Sequence, residues 1–235
     1  MISSIIDINN KKNKNAIVLG VYLHMKKMSF DREFIVPTLI FFAATIIAYF
    51  WEPVLAVLLG ILTVGAALFF RDPHRDIPGE ESAIVSPADG KVMGVDIVEE
   101  KEFFNSEVKK VTIFLSVFDV HINRSPIAGE IKDVRYTAGK FIPANKPEAG
   151  KLNERNKIFI EGKNLSVLVV QIAGLIARRI VCRVQPGMSV GKGHKLGLIR
   201  FGSCTELYVP LEAEIMVKEG DRVKGGETII GRWRG

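Results

Sequence analysis

The sequence predicts a mainly β protein of the α+β type: a β-sandwich or barrel-like domain preceded by an apolar helical hairpin. Three observations predict it. Two charge-free apolar runs, Phe34 to Phe50 and Val54 to Phe70, stand next to each other near the start. After Pro78 the chain changes to short runs rich in β-branched and aromatic residues, punctuated by Gly and Pro about every ten residues. Finally, Gly187, Val190 and Gly193 have the same spacing as Gly220, Val223 and Gly226, each set following a polar turn.

Residues 1–33 form a basic segment rich in Asn and Lys, without sustained periodicity, and read as disordered. Met25 or Met28 is an alternative start. No small-residue cleavage site follows the apolar stretch, so the segment does not read as a signal peptide. Residues 34–72 form the hairpin, split by Trp51-Glu-Pro53. Each run is close to the ~17-residue minimum for crossing a bilayer. Lys26, Lys27 and Arg32 precede the pair and Arg71 and Arg75 follow it, which places both ends in the cytoplasm. Two spans and one re-entrant anchor are both open. Two buried core helices are disfavoured, because charge is missing from every face. Residues 73–235 form the β-rich domain. Its strand-like runs are Val108 to Phe118, Lys157 to Ile160, Ser166 to Gln171 and Glu206 to Val209. Gln171 to Cys182 reads as a helix or as strand–bend–strand.

Composition narrows the function classes. The 235 residues carry a net charge of +6 and are 48% hydrophobic, with a pI near 9.3 and a mean hydropathy of +0.20. A basic chain suits an anionic partner. A membrane surface fits better than nucleic acid, since the apolar stretch is adjacent and basic and aromatic residues are not interleaved. Cys182 and Cys204 alone make no disulfide scaffold, and no Cys/His spacing suits zinc. No G-x-G-x-x-G or P-loop motif is present to hold a nucleotide cofactor.

The residues that carry chemistry centre on Gly202-Ser203, within Leu198-Ile-Arg-Phe-Gly-Ser-Cys-Thr205. A Gly-Ser bond can pass its acyl group to the serine oxygen. β-Elimination of the ester and hydrolysis then leave a pyruvoyl ketone, which forms a Schiff base with an amine and accepts electrons in decarboxylation. Gly202 leaves its carbonyl easy to approach. Alone the dipeptide also reads as a turn. Asp89 lies in the turn sequence Ser-Pro-Ala-Asp-Gly. His121 ends an apolar run, unlike His24, His74 and His194. Arg124, Arg155 and Arg200 can grip a phosphate or carboxylate in a bidentate fork, or can be solvated surface charge. Asn123 and Asn156 can orient the same groups.

Five segments in order carry a resemblance: Phe69-Phe-Arg-Asp-Pro73, Val85-Ser-Pro-Ala-Asp-Gly90, Phe114-Leu-Ser-Val-Phe-Asp-Val-His-Ile-Asn-Arg124, Leu152-Asn-Glu-Arg-Asn156 and Arg200-Phe-Gly-Ser203. Together they resemble the short form of the phosphatidylserine decarboxylase family, whose archaeal members act on archaetidylserine. The resemblance runs from about Phe34 to the end of the chain. It implies self-cleavage between Gly202 and Ser203 into a large and a small chain, a pyruvoyl group made from Ser203, and an anionic serine phospholipid as substrate. It also implies no pyridoxal phosphate and no metal, a membrane location with the catalytic domain facing the cytoplasm, and leaves a homo-oligomer open. Asp89 matches the relay that activates the serine, and His121 the group that assists the pyruvoyl chemistry. One departure stands out. Longer bacterial members have a second histidine three residues on, where this chain has Arg124. Either His121 serves both steps or another group activates Ser203.

Two other classes remain. A biotinyl-type carrier would use the paired Gly-Val-Gly corners, but no Met-Lys-Met-like signature is present. A membrane-anchored hydrolase would use Ser203 or Cys204 with His121, but Phe201-Gly-Ser-Cys-Thr205 lacks the second glycine of a G-x-S-x-G elbow. Both predict an uncut chain.

Overall fold

The computed structural model describes residues 28–30, 35–143, 148–175, 179–199 and 203–233. The chain divides into two compact units, Met1–His74 and Arg75–Gly235.

In the first unit, helices α1 (Ile35–Trp51) and α2 (Pro53–Phe69), 17 residues each, pack as a hairpin. Glu52 is extended (φ −149°, ψ 95°) and breaks the helix. Pro53 opens the next one, where a missing N–H costs nothing. Thr45 and Thr63 meet across the pair at 3.4 Å, and each also donates to the carbonyl four residues back, Phe41 and Leu59. Around them Leu39, Ile40, Ile47, Phe50, Val54, Val57, Ile61 and Val64 are exposed. At ~1.5 Å per residue each helix is about 26 Å long, against a hydrocarbon core of ~30 Å. No helix among the described residues is long and apolar enough to cross a membrane. Strands β1 (Met28–Phe30) and β2 (Arg71–Pro73) pair antiparallel beside the hairpin's ends.

The second unit is mainly β, as the sequence predicts. Its strands are β3 (Ala83–Val85), β4 (Gly90–Glu100), β5 (Ser106–Leu115), β6 (Ile122–Arg124), β7 (Gly129–Thr137), β8 (Arg155–Glu161), β9 (Ser166–Ile172), β10 (Ile180–Cys182), β11 (Ser189–Val190), β12 (Lys195–Ile199), β13 (Ser203–Pro210), β14 (Glu214–Ile215), β15 (Arg222–Val223) and β16 (Ile229–Arg232). A short helix, α3 (Ala149–Leu152), interrupts them. Eight strands make one antiparallel sheet in the order β11-β7-β8-β9-β13-β5-β4-β15, curled into a half-barrel. Two three-stranded sheets, β10-β12-β6 and β14-β16-β3, complete the unit. Of the stretch Gln171 to Cys182, Gln171 and Ile172 end β9 and Ile180–Cys182 form β10, while residues 176–178 lie outside the described residues.

Period-two alternation splits the large sheet into two faces. Val111, Ile113 and Leu115 of β5, Leu207 and Val209 of β13, Val167 and Val169 of β9, and Ile158 and Ile160 of β8 point inward and are fully buried. Each such side chain contributes about 1.5–3 kcal/mol. The outer face buries a smaller cluster, Leu168, Val170, Ile172 and Cys204, packed against Phe103, Phe104 and Phe159.

The Gly-Val-Gly repeat is the visible tip of an internal duplication. Gly187, Gly193, Gly220 and Gly226 all have positive φ, between 77° and 96°. Val190 and Val223 lie on β11 and β15, the two edges of the large sheet, paired with Gly129 and Gly90. Ser125 and Ser86 precede those glycines, and each hydroxyl donates to the carbonyl two residues on, at 2.6 and 2.7 Å. Their own carbonyls accept from the N–H groups of Gly193 and Gly226, both at 2.8 Å. Bulges fall at equivalent places: Ile131/Asp133 and Val92/Gly94, Lys195/Gly197 and Ile229/Gly231. Strands β6 to β12 therefore repeat β3, β4, β5 and β13 to β16. The pseudo-twofold axis passes between β9 and β13, where Val169 faces Leu207.

Ile77 sits between the two repeated corners: a Cβ on Gly193 or Gly226 would come within 2.4 or 2.9 Å of its Cδ1. Gly187 has no neighbour within 4 Å of such an atom. Gly187→Ala is expected to cost only the left-handed backbone penalty, about 1–2 kcal/mol. Gly193→Ala adds an overpacking cost of about 1–3 kcal/mol to the same penalty. Denaturant melts of the two variants test the difference.

Candidate active site

Ser203 is the first residue of β13, and alternation puts its side chain on the inner face with Thr205, Leu207 and Val209. It is completely buried and pairs with Leu115, the last residue of β5. Its Oγ makes no hydrogen bond among the described residues. An unsatisfied buried hydroxyl costs about 1–3 kcal/mol, so it calls for an explanation. Ala173 and Ile199, with Phe141 and Ile180, form an apolar cluster at this end of the unit. Gly202 and Arg200 lie outside the described residues.

His121 is delivered to the same end by the turn after β5. Asp119 locks that turn: its Oδ2 accepts from the N–H and Oγ of Ser116 at 2.9 and 2.7 Å, and its Oδ1 from Arg222 at 3.3 Å. The carbonyl of His121 accepts from the N–H of Ile199 at 3.2 Å, so β6 begins where β12 ends, just ahead of Ser203. The imidazole is buried, with Nδ1 2.9 Å from the Asp119 carbonyl oxygen. A carbonyl only accepts, so Nδ1 carries the hydrogen and Nε2 is the basic nitrogen of the neutral ring.

Asp89 precedes Gly90 at the start of β4, and the pairing of Lys91 with Phe114 brings it to the same sheet end as Leu115. Arg75 Nη2 donates to both carboxylate oxygens at 2.9 and 2.8 Å, and the Gly225 N–H donates to Oδ1 at 2.8 Å. Burial raises the Asp89 carboxyl above the usual carboxylate range, and Arg75 and the Gly225 N–H offset part of that. Asp89 is thus held by Arg75 and Gly225, while the His121 tautomer is set by Asp119.

The arginines separate. Arg124 is buried; its Nη1 donates to the Gly193 carbonyl at 3.1 Å and its backbone N–H to Pro87 at 2.8 Å. Arg155 lies on the outer face, where with Lys151, Lys157, Glu206 and Tyr208 it lines a cavity of about 220 Å³. The inner-face neighbourhood of Ser203 is therefore not where Arg155 points.

Residues 64–231 match the phosphatidylserine decarboxylase family. The chain belongs to that family. It is 51% identical over 187 residues to a phosphatidylserine decarboxylase proenzyme of Carboxydothermus hydrogenoformans, covering 79% of this chain and 86% of the relative. A proenzyme of the same description from Symbiobacterium thermophilum is 47% identical over 191 residues, covering 81% and 89%. One from Syntrophus aciditrophicus is 42% identical over 213 residues, covering 88% and 99%.

In this decarboxylase-family chain, sequence reasoning misses Arg75, Gln171 and Thr205. Across the inner face Asn156 donates to Gln171 at 3.0 Å, Gln171 donates to Asn123 at 2.8 Å, and Asn123 donates to Thr205 Oγ1 at 2.9 Å. All four are buried. Gln171 was detectable as the single amide in an apolar strand, and Thr205 from its parity with Ser203. Arg75 left no local signal, because its partner lies 14 residues away. Cys204 faces the other way, and burial pushes its thiol far up, which disfavours a thiolate nucleophile.

Arg75 and Asp89 form a largely buried pair, with side-chain exposures of 5% and 14%. Arg75→Met should leave the carboxylate uncompensated and cost about 3–5 kcal/mol. A guanidinium melt of the variant against the parent checks it; a loss under 1 kcal/mol would remove Arg75 as the support of Asp89.

Proposed function

We propose that this chain matures by cutting itself between Gly202 and Ser203 and then removes, as a carboxy-lyase, the carboxyl group from the serine headgroup of phosphatidylserine. The observation that carries the reading is the buried Ser203 hydroxyl, unbonded among the described residues, at the head of a strand held on both sides.

The residues suggest the following order. His121 Nε2 takes the Ser203 hydroxyl proton, and Oγ adds to the Gly202 carbonyl carbon. The Gly202–Ser203 C–N bond breaks, its nitrogen takes the proton, and an ester joins the two parts. A base then removes the Cα proton of residue 203, the ester C–O bond breaks, and Gly202 leaves as a carboxylate. Water replaces the nitrogen, released as ammonia, and residue 203 keeps a ketone. This pyruvoyl ketone supplies an electron sink for the primary amine of the substrate. During turnover the buried surroundings of residue 203 exclude water, and His121 holds the proton that the headgroup Cα receives as CO2 leaves. Asp89, balanced between burial and Arg75, is the relay carboxylate. Arg124 and Arg200 are the candidates for the lipid's anionic groups; Arg155, a third arginine of the same chemistry, faces the outer cavity instead.

The two resulting chains would stay together. Residues 203–235 supply β13 to β16, and β13 pairs along its whole length with β5 and over Cys204–Tyr208 with β9. The hairpin of residues 34–72 serves as the membrane attachment. Its helices expose apolar side chains on several sides yet are short for a span, which favours an anchor that dips into the cytoplasmic face of the cell membrane. The decarboxylase domain of residues 73–235 then works on lipid whose tails remain in the bilayer.

On a denaturing gel the wild type is expected as two fragments, one of a few kilodaltons, that co-elute on a native column. Ser203→Ala is expected as one uncut, inactive polypeptide. Processing and activity in Ser203→Ala would refute the assignment.

A further inference from the structure

The duplication provides an internal control for the amide chain. The pairing registers make Ile84 the counterpart of Asn123, since each faces the bulge glycine of its partner strand, Gly231 and Gly197. Val209 is the counterpart of Gln171, opposite Lys109 and Asn156 respectively. Val167 is the counterpart of Thr205, two residues along from Leu165 and Ser203. All six side chains are fully buried. One half of the molecule therefore builds these positions from Ile84, Val209 and Val167, and the other builds them from Asn123, Gln171 and Thr205. The fold itself does not demand polar groups there.

The polar set occurs only at the end that holds Ser203 and His121. The counterparts of those two are Leu165 and Ser82: Ile199 N–H donates to the His121 carbonyl as Trp233 N–H donates to that of Ser82. The counterpart of Asp89 is Ala128, each one residue before the equivalent glycine, Gly90 or Gly129. The asymmetry between halves is concentrated on the candidate site.

We infer that the chain Asn156→Gln171→Asn123→Thr205 is a positioning device for the chemistry at residue 203. The inference rests on the proposed function and deepens it. Its direction is fixed: each amide donates to the next, and Thr205 Oγ1 accepts at the end. The Thr205 hydroxyl must then send its own hydrogen elsewhere, one same-face step from Ser203, about 7 Å along the strand. Asn123 also fixes β6, just ahead of which His121 stands, two residues before Asn123 in the chain. The chain thus ties the strand next to the proton-handling imidazole to the strand carrying residue 203. Asn123 and Thr205 are positioning residues, acting through His121 and residue 203.

The test transplants the molecule's own apolar solution: Asn123→Ile, Gln171→Val and Thr205→Val together, in the full chain. The melting temperature should hold within a few degrees, since three of the four hydrogen-bonded members are replaced together by apolar groups and only Asn156 loses its acceptor. Self-cleavage, followed on denaturing gels, should slow at least tenfold. In the processed fraction kcat should fall at least tenfold with KM within twofold, and the pH profile of kcat should shift. A folded triple variant that cleaves and turns over within twofold of wild type, with the same pH profile, would overturn the inference. If the triple variant does not fold, Thr205→Val carries the same expectation, with Thr205→Ser restoring cleavage and kcat; wild-type behaviour in Thr205→Val would overturn it. An uncut wild type would instead sink the reading of Ser203, separately from the chain's role.

Discussion

Everything in the second unit depends on the two ladders that hold β13 between β5 and β9. A central strand satisfies its backbone groups on both sides, so its position does not depend on the peptide bond that precedes it. Ile199, the last described residue before Ser203, belongs to a different sheet, β10-β12-β6. The connection between two independently anchored strands is where a backbone can be broken at least cost to the fold. A hydroxyl at the first position of the second strand stands next to that connection, facing the core, while the thiol beside it faces the opposite layer.

The polar groups at this end stand beside the apolar core of the large sheet. The core of the large sheet is built from Val, Ile and Leu, and the duplicated half shows that this suffices for the same architecture. Keeping a buried Ser203 hydroxyl with no partner among the described residues, a buried imidazole, an Asp89–Arg75 pair and a row of amides gives up stability that apolar residues would supply. Such concentration of buried polarity is the usual mark of function over folding. The duplication also shows where the two halves match and where they part: Ile77 is clasped by two equivalent glycine corners, while the equivalent strand ends differ in chemistry.

Much of this was legible in the sequence. Runs such as Ser166 to Gln171 and Glu206 to Val209 fell on β9 and β13 because alternating or continuous β-branched residues encode a buried strand directly. The hairpin was legible because two charge-free runs were separated by a proline that could only begin a helix. The Gly-Val-Gly spacing gave the edge corners but not the duplication, since the second copy is inserted between β5 and β13 and its equivalences lie in pairing register. Ser203, His121 and Asp89 stood out through the company of their motifs. Arg75, Gln171 and Thr205 did not, because their meaning arises only when strands distant in sequence are brought side by side. The sequence treated Arg124 and Arg155 alike; the structure parts them, one on the Gly193 carbonyl and one on the outer face.

The most direct measurement is the intact mass of the small chain separated from purified protein. The account predicts a chain beginning at residue 203 and lighter by one ammonia than the same fragment beginning with serine, the mass of a terminal ketone. A single full-length mass, or a fragment that retains serine at its head, would contradict it.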